Sequence, residues 1–238
     1  MKLSIIMPVY NEAKTVSSII DIVKKVKLGK IEKEIIAIDD GSKDGTGNVL
    51  KQIPGIKVII HKKNRGKGAA VKNGIKAATG DIIIIQDADL EYDPNEYPKL
   101  IKPIIDKKTK VVYGSRFLDA NQKKQFIFFR KKHKGAYDMA YVGGRLLTAL
   151  TNILYFSKIT DEPTCYKVFD SKVIKAINIK GNRFEWEPEV TAKILKKGYK
   201  IIEIPITYNP RTFEQGKKIN YKDGIQAIWT LIKYRFVN

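Results

Sequence analysis

Ile82-Ile83-Ile84-Ile85 constrains the fold more than any other stretch of this 238-residue chain. Four β-branched residues in a row, entered through Gly80-Asp81, read as a short buried strand. A strand that is apolar on both faces needs cover on both, as in a parallel sheet flanked by helices. The run leads directly to Asp87-Ala88-Asp89. Two carboxylates are thus placed at the carboxyl end of a strand, where open α/β sheets bind their ligands. Clustered carboxylates are costly unless something positive meets them. A divalent cation carrying a diphosphate is the most economical partner.

The first half repeats the same pattern. Leu3–Val9, Glu34–Ile38, Lys57–His61 and Asp81–Gln86 read as strands. Between them, Val16, Ile19, Ile20, Val23 and Val26 give Glu12–Val26 a helical spacing. Asp44-Gly45-Thr46 opens a helix toward Ile53, and Asn64-Arg65-Gly66-Lys67-Gly68 opens one through Ala78. Such alternation predicts an α/β fold with a mostly parallel central sheet and helices on both faces. The second half is less regular. Val111–Tyr113 and Lys200–Ile206 read as strands, and Tyr137–Ser157, Val190–Lys197 and Tyr221–Phe236 as helices, with Gly198 as a stop signal. Residues 119–135 and Thr212–Asn220 are polar and basic and read as loops. No repeat or low-complexity linker divides the chain, so one domain over 1–238 is expected.

Charge narrows the partners. Lys+Arg is 45 against 25 Asp+Glu, a net +20. That excess predicts attraction to polyanions: nucleic acid, an anionic membrane surface or phosphorylated substrates. Aromatic RNA-binding stripes and a helix-turn-helix are missing from the sequence, so no nucleic-acid partner is expected. The single cysteine, Cys165, allows no internal disulfide and no cysteine metal cluster. No stretch reaches the roughly 18 apolar residues of a membrane span. Leu3–Val9 is too short for a signal peptide. The expectation is a cytoplasmic protein, peripheral to the cytoplasmic face of the membrane.

The strand ends carry the candidate chemistry. After the first strand, Tyr10 can lie along a base and Glu12 can accept from base or ribose hydroxyls, while Asn11 serves equally as a helix cap. After the second, Asp39-Asp40 suits hydrogen bonding to imide or ribose groups, and Gly41-Ser42 with Asp44 and Thr46 also reads as a turn and caps. Arg65-Gly66-Lys67-Gly68 offers helix N-terminal amides to a phosphate, but lacks the P-loop spacing and reads as well as a solvated basic turn. After the fourth, Asp87, Asp89 and Glu91 present hard oxygen ligands for Mg²⁺ or Mn²⁺. Arg211, with Lys217 and Lys218, suits a cationic loop that closes over a diphosphate. His61 and His133 read as surface histidines and Cys165 as a packed thiol.

Taken in order, Pro8-Val9-Tyr10-Asn11-Glu12, Asp39-Asp40-Gly41-Ser42-Lys43-Asp44-Gly45-Thr46, Asn64-Arg65-Gly66-Lys67-Gly68 and Asp87-Ala88-Asp89 resemble the family-2 glycosyltransferases of the GT-A fold. Tyr113-Gly114-Ser115-Arg116-Phe117 and Thr160-Asp161-Glu162-Pro163-Thr164-Cys165-Tyr166-Lys167 are similar to the dolichyl- and polyprenyl-phosphate mannose and glucose synthases. The resemblance covers nearly the whole chain. It implies a nucleotide-sugar-binding half over 1–118 and an acceptor-binding half over 119–238. Pro8, Tyr10, Glu12 and Asp39 would contact the nucleoside. Asp87 and Asp89 would hold metal and diphosphate, helped by the Ala88 backbone and an extra acid at Glu91. Arg116 would face an acceptor phosphate, with Arg130 or Arg145 beside it. Asp161 would sit near the acceptor and orient a basic residue. Glu187 or Glu189 would bind sugar hydroxyls.

The implied reaction is inverting transfer of mannose or glucose from GDP-mannose or UDP-glucose to a polyprenyl or dolichyl phosphate. A glycan or protein acceptor is the alternative within the class. A sugar nucleotidyltransferase would carry a Gly-rich basic loop where Tyr10-Asn11-Glu12 stands. The lipid would be reached through Lys123–Lys132, an aromatic cluster bracketed by cations, with Trp229, Ile232, Tyr234 and Phe236 adding to that face, or through a membrane-protein partner.

Overall fold

The structure, a computed structural model, describes residues 1–119, 136–211 and 221–237. Its central strand in the first half is β1 (Lys2–Val9), paired in parallel with β2 (Glu32–Asp39) on one side and β4 (Ile82–Ile85) on the other. β3 (Lys57–Ile60) adds in parallel outside β2. The connections run through α1 (Val16–Lys25), α2 (Thr46–Gln52) and α3 (Lys67–Ala77). Successive strands therefore leave β1 toward β2 and β3, and then return to its other side at β4. That reversal opens a crevice between the carboxyl ends of β1 and β4.

Beyond β4 the chain forms α4 (Tyr97–Ile105), β5 (Val111–Ser115), α5 (Ala136–Tyr155), β6 (Lys167–Asp170), α6 (Ser171–Lys175), α7 (Trp186–Lys196), β7 (Ile201–Pro205) and α8 (Tyr221–Phe236). Among the described residues the sheet has seven strands in the order β3-β2-β1-β4-β6-β5-β7. Only β6 runs against its neighbours β4 and β5. All four residues of β4 are buried, as its uninterrupted isoleucines require. Gly74 of α3 lies so close to Ile6 and Ile38 that a side chain there would collide with both. A second, smaller apolar cluster (Leu147, Ala192, Ala227, Leu231 and Tyr234) joins α5, α7 and α8.

Several elements differ from the sequence-based expectation, α1, α4 and β6 among them. α1 begins at Val16, not Glu12, because the preceding residues tie the turn after β1 to the turn after β2. Asn11 takes a left-handed φ of 51°, donates its N–H to Ser42 Oγ at 2.8 Å and accepts from Lys43 N at 2.9 Å. Glu12 N donates to Thr46 Oγ1 at 2.9 Å. α4 was not expected because it contains Pro98 and Pro103; Pro98 sits in the first turn, where its missing N–H costs nothing. β6 was not expected because Lys167 opens it. That lysine is fully buried, and its Nζ donates to the carbonyls of Glu162 and Thr164 at 2.7 Å each. It also stands 4.6 Å from the centre of the Tyr113 ring.

Candidate active site

The crevice is a cleft of about 320 Å³ lined from both halves of the chain. Pro8, Tyr10 and Glu12 enter it from the end of β1, and Asp87, Ala88, Asp89 and Glu91 from the end of β4. Arg116, from the end of β5, and Arg211, beyond β7, reach it from the far side. Asp40, not Asp39, lines the wall. Side chains alternate at a strand end. Asp39 turns toward α2, where its Oδ2 lies 2.6 Å from the place a Gly47 Cβ would take, and accepts from Ser42 N at 3.0 Å. Asp40 turns the other way and accepts from Arg65 N at 2.9 Å and Gly66 N at 2.7 Å.

Glu12, Asp87, Asp89 and Glu91 each meet a basic side chain from another segment. Lys67 Nζ lies 2.9 Å from Asp87 Oδ1 and 3.0 Å from Glu187 Oε1. Burial alone would lower this ammonium's pKa, but the two carboxylates outweigh it and hold the pKa well above the usual lysine value. Arg211 spans three acids. Its Nη1 is 3.1 Å from both oxygens of Glu12, its Nη2 is 3.0 Å from Asp89 Oδ2, and its Nε is 3.6 Å from Glu91 Oε1. Asp89 nevertheless has a pKa raised to about 7, by burial first and then by the Asp87 and Glu91 carboxylates, against the pull of Arg211.

The donor set fits a divalent cation. Asp87 and Asp89 supply hard oxygen ligands, and the surplus negative charge that lifts Asp89 is what a dication would relieve. Among the described residues no group of three or more His, Cys, Asp or Glu side chains converges on one point. The protein would thus supply the two aspartates, with diphosphate oxygens and water completing the shell. Glu91, expected as a third ligand, is committed elsewhere. It accepts from Arg211 N at 2.9 Å and from Tyr208 Oη at 2.8 Å, and so fastens the segment after β7 to the turn after β4.

Arg116 is held by a buried carboxylate. Its Nε and Nη2 donate to the two oxygens of Asp161 at 2.7 Å each, and its backbone N–H donates to Oδ2 at 3.0 Å. Asp161 is fully buried, and its attraction, opposing the burial that would lower the guanidinium's pKa, raises that pKa well above normal. Glu203 of β7 accepts from the backbone N–H groups of Thr160 and Asp161 at 2.7 and 3.0 Å. The guanidinium also lies 5.0 Å from the Tyr208 ring centre. Asp161 therefore stands behind Arg116 and fixes its guanidinium. Arg145 is close by, donating to Thr160 O at 2.8 Å and standing 5.0 Å from the Phe117 ring.

Other expectations are revised. Two of the amides opening α3 are already bonded: Gly68 N donates to Arg183 O and Ala69 N to Asn182 O. The glycines there serve close packing, since a Gly68 Cβ would lie 2.7 Å from Gly181 O. Lys67, read only as part of a basic turn, is the cation between Asp87 and Glu187. His61 is buried, not at the surface. Its Nδ1 is 2.7 Å from Asp40 Oδ1 and its Nε2 is 2.7 Å from Asn73 Nδ2, so it braces the acid that holds the 65–66 turn. Cys165 is buried and lines the cleft, and burial followed by the charge of Asp87 pushes its thiol well up. Of the two helix-start acids, Glu187 lines the cleft, while Glu189 accepts from Lys180 N and Gly181 N. Lys217, Lys218, Arg130, His133 and the Lys123–Lys132 segment lie outside the described residues. Tyr92, Phe184 and Tyr208 also line the cleft. Isolated aromatics between strands carry no spacing signal that would have marked them.

The chain is similar to known glycosyltransferases along most of its length. It is 30% identical over 223 residues to the dolichol-phosphate mannosyltransferase of Pyrococcus furiosus, covering 91% of this chain and 59% of that enzyme. It is 25% identical over 249 residues to the UDP-N-acetylglucosamine–dolichyl-phosphate N-acetylglucosaminyltransferase of Methanococcus voltae, covering 96% and 94%. In fold it matches glucosyl-3-phosphoglycerate synthase of Mycobacterium tuberculosis, solved with Mn²⁺, UDP and glucosyl-3-phosphoglycerate. The TM-score is 0.74 at 18% identity, over 100% of this chain and 81% of that one. The family described as glycosyl transferase family 2 matches residues 4–177. With strand-end acids set in a cleft at the β1–β4 reversal, this chain belongs to glycosyl transferase family 2 and has the GT-A fold.

Proposed function

We propose that the protein transfers a glycosyl residue from a nucleotide-sugar to the phosphate of a polyprenyl or dolichyl phosphate, with inversion at the anomeric carbon. The observation that carries this reading is Arg116. A guanidinium fixed by buried Asp161, in the same cleft as Asp87 and Asp89, suits a phosphate nucleophile better than a hydroxyl. An acceptor phosphate is already ionised and needs orientation more than a base. The dolichol-phosphate activities named for the Pyrococcus and Methanococcus relatives support the same acceptor. Those relatives carry mannose and N-acetylglucosamine, so the sugar extends from mannose or glucose to an N-acetylated hexose.

Tyr10, Pro8 and Glu12 receive the nucleoside, and Asp87 and Asp89 face its diphosphate. Mg²⁺ or Mn²⁺ bound by these two aspartates would neutralise the departing nucleoside diphosphate. Lys67 holds Glu187 toward the sugar, and Arg116 aligns the acceptor oxygen with the anomeric carbon. The lipid acceptor places the reaction at an anionic membrane surface. Among the described residues no helix is long and apolar enough to cross a membrane.

The test is transfer of radiolabel from GDP-mannose, UDP-glucose and UDP-N-acetylglucosamine to a short-chain polyprenyl phosphate with Mn²⁺. One donor should yield an organic-soluble product, and both Asp89→Ala and Arg116→Met should abolish it. No product with any donor, or equal transfer to the alcohol lacking its phosphate, would overturn the reading.

A further inference from the structure

Arg116 is aimed by the turn that carries Asp161, and that turn ends on one carboxylate. Thr160 N donates to Glu203 Oε2 at 2.7 Å, and Asp161 N donates to Glu203 Oε1 at 3.0 Å. Two consecutive N–H groups thus share the two oxygens of a single side chain of β7. Hydrogen bonds to an ionised acceptor are the stronger kind. A pair of them from adjacent residues fixes both the place and the tilt of the peptide between them.

Other ties around Arg116 lead to the same turn. Thr160 Oγ1 lies 2.6 Å from Ser115 Oγ, which also accepts from Phe117 N at 3.2 Å. The residues on either side of Arg116 are therefore linked to Thr160. Arg145 of α5 donates to Thr160 O at 2.8 Å and stands over the Phe117 ring. Asp161 itself accepts from Arg116 Nε, Nη2 and N. The strand that bears Glu203 belongs to the same block. Glu203 is in register with Tyr113 of β5, and Ile206 N donates to Ser115 O at 3.0 Å.

This placement works against electrostatics. Glu203 is half-buried, and burial, with the Asp161 carboxylate adding to it, leaves its carboxyl above the ordinary glutamate range although the N–H groups pull it down. Water or a neutral side chain could satisfy the two N–H groups without setting one carboxylate beside another. What the carboxylate adds is a fixed geometry behind a guanidinium whose use depends on where it points.

We infer that Glu203 is a positioning residue for Arg116. It orients the Thr160–Asp161 turn and, through Asp161, the guanidinium that meets the anionic group of the acceptor. The identity of that group rests on the proposed transfer reaction; the aim of the guanidinium does not.

Two readouts keep these apart. The first needs no ligand. In the full chain carrying heavy nitrogen in its arginines, the Arg116 Nε–H signal, identified by its loss in Arg116→Met, should exchange slowly in heavy water. Glu203→Gln keeps the size of the side chain but turns an NH₂ toward one of the two N–H groups. It should speed that exchange about tenfold or more, while the backbone amides of β1 and β4 exchange as in the wild type. A change that merely weakened the fold would speed all of them together. Unchanged exchange at Arg116, or equal acceleration throughout, would overturn the proposal. The second readout is steady-state transfer to farnesyl phosphate. Glu203→Gln should raise the acceptor KM about tenfold or more and leave the calorimetric Kd of the nucleotide-sugar with Mn²⁺ within about twofold. Equal losses at donor and acceptor would also count against it. Ser115→Ala cuts the tie between the strand of Arg116 and Thr160. It should shift both readouts in the same direction, and it carries the test where Glu203→Gln does not fold. A wild type that transfers nothing, with Arg116 exchange that still responds to Glu203→Gln, would defeat the transfer reading and leave the positioning role standing.

Discussion

Replacing Asp161 by Asn tests whether that acid acts through Arg116. The wild-type carboxylate accepts three N–H bonds from Arg116, two of them from the guanidinium at 2.7 Å, and it is fully buried. Hydrogen bonds to charged groups contribute about 1.5–3 kcal/mol each. Removing one partner of a buried ion pair costs about 3–5 kcal/mol, because the other charge stays behind uncompensated. Asp161→Asn should therefore lower unfolding stability by about 3–5 kcal/mol and sharply reduce kcat/KM for the phosphate acceptor. In an Arg116→Met background the same change should cost far less, since no buried guanidinium remains to be stranded. Urea denaturation of the four proteins gives the coupling energy, expected at about 2 kcal/mol or more. Equal costs in both backgrounds, within about 0.5 kcal/mol, would refute the positioning role.

Further outcomes follow from two carboxylates and two glycines. Burial raises the Glu34 carboxyl, but hydrogen bonds from Ser4 and Thr79 outweigh it and bring its pKa down to about 2. Its stabilisation is present above the usual carboxylate range and is lost as pH falls toward 2. Glu34→Gln should therefore flatten the loss of urea stability between pH 5 and 2. Burial raises Glu162 to about 7, against the pull of Lys167. The folded state then binds the extra proton, and stability falls as pH rises from the ordinary carboxylate range through 7. Glu162→Gln should raise the unfolding free energy above pH 7 by up to about 3 kcal/mol and leave it unchanged near pH 4; an equal gain at both would discard the assignment. Gly68→Ala drives a Cβ to 2.7 Å from Gly181 O and 2.9 Å from Arg183 O. It should cost about 1–3 kcal/mol and weaken donor binding in calorimetry, whereas Gly143→Ala in α5, with nothing within 4 Å, should stabilise by about 0.5–1 kcal/mol.

What was legible in the sequence was whatever the local backbone decides. The apolar runs at Leu3–Val9 and Ile82–Ile85 became buried parallel strands, and the acids following them had to stand at the carboxyl end of a sheet. α4 and β6 were hidden because tertiary packing overrides local preference: two prolines sit in a helix, and a lysine sits in a core strand. The state of the acids was hidden for another reason. Lys67 meets Glu187 across 120 residues, and Arg211 meets Glu12 across 199. No periodicity encodes such pairings, so Arg65-Gly66-Lys67-Gly68 read equally as a phosphate-binding helix start or a solvated turn, and nothing in the sequence showed that Glu91 anchors Tyr208 and Arg211. The excess of +20 now has a local meaning as well. In the cleft Glu12, Asp87, Asp89 and Glu91 are each bridged by a cation from elsewhere in the chain, yet Asp89 still carries more negative potential than Arg211 cancels. A basic protein can thus keep one acidic corner, and that corner is where a dication and a diphosphate would complete the balance of charge.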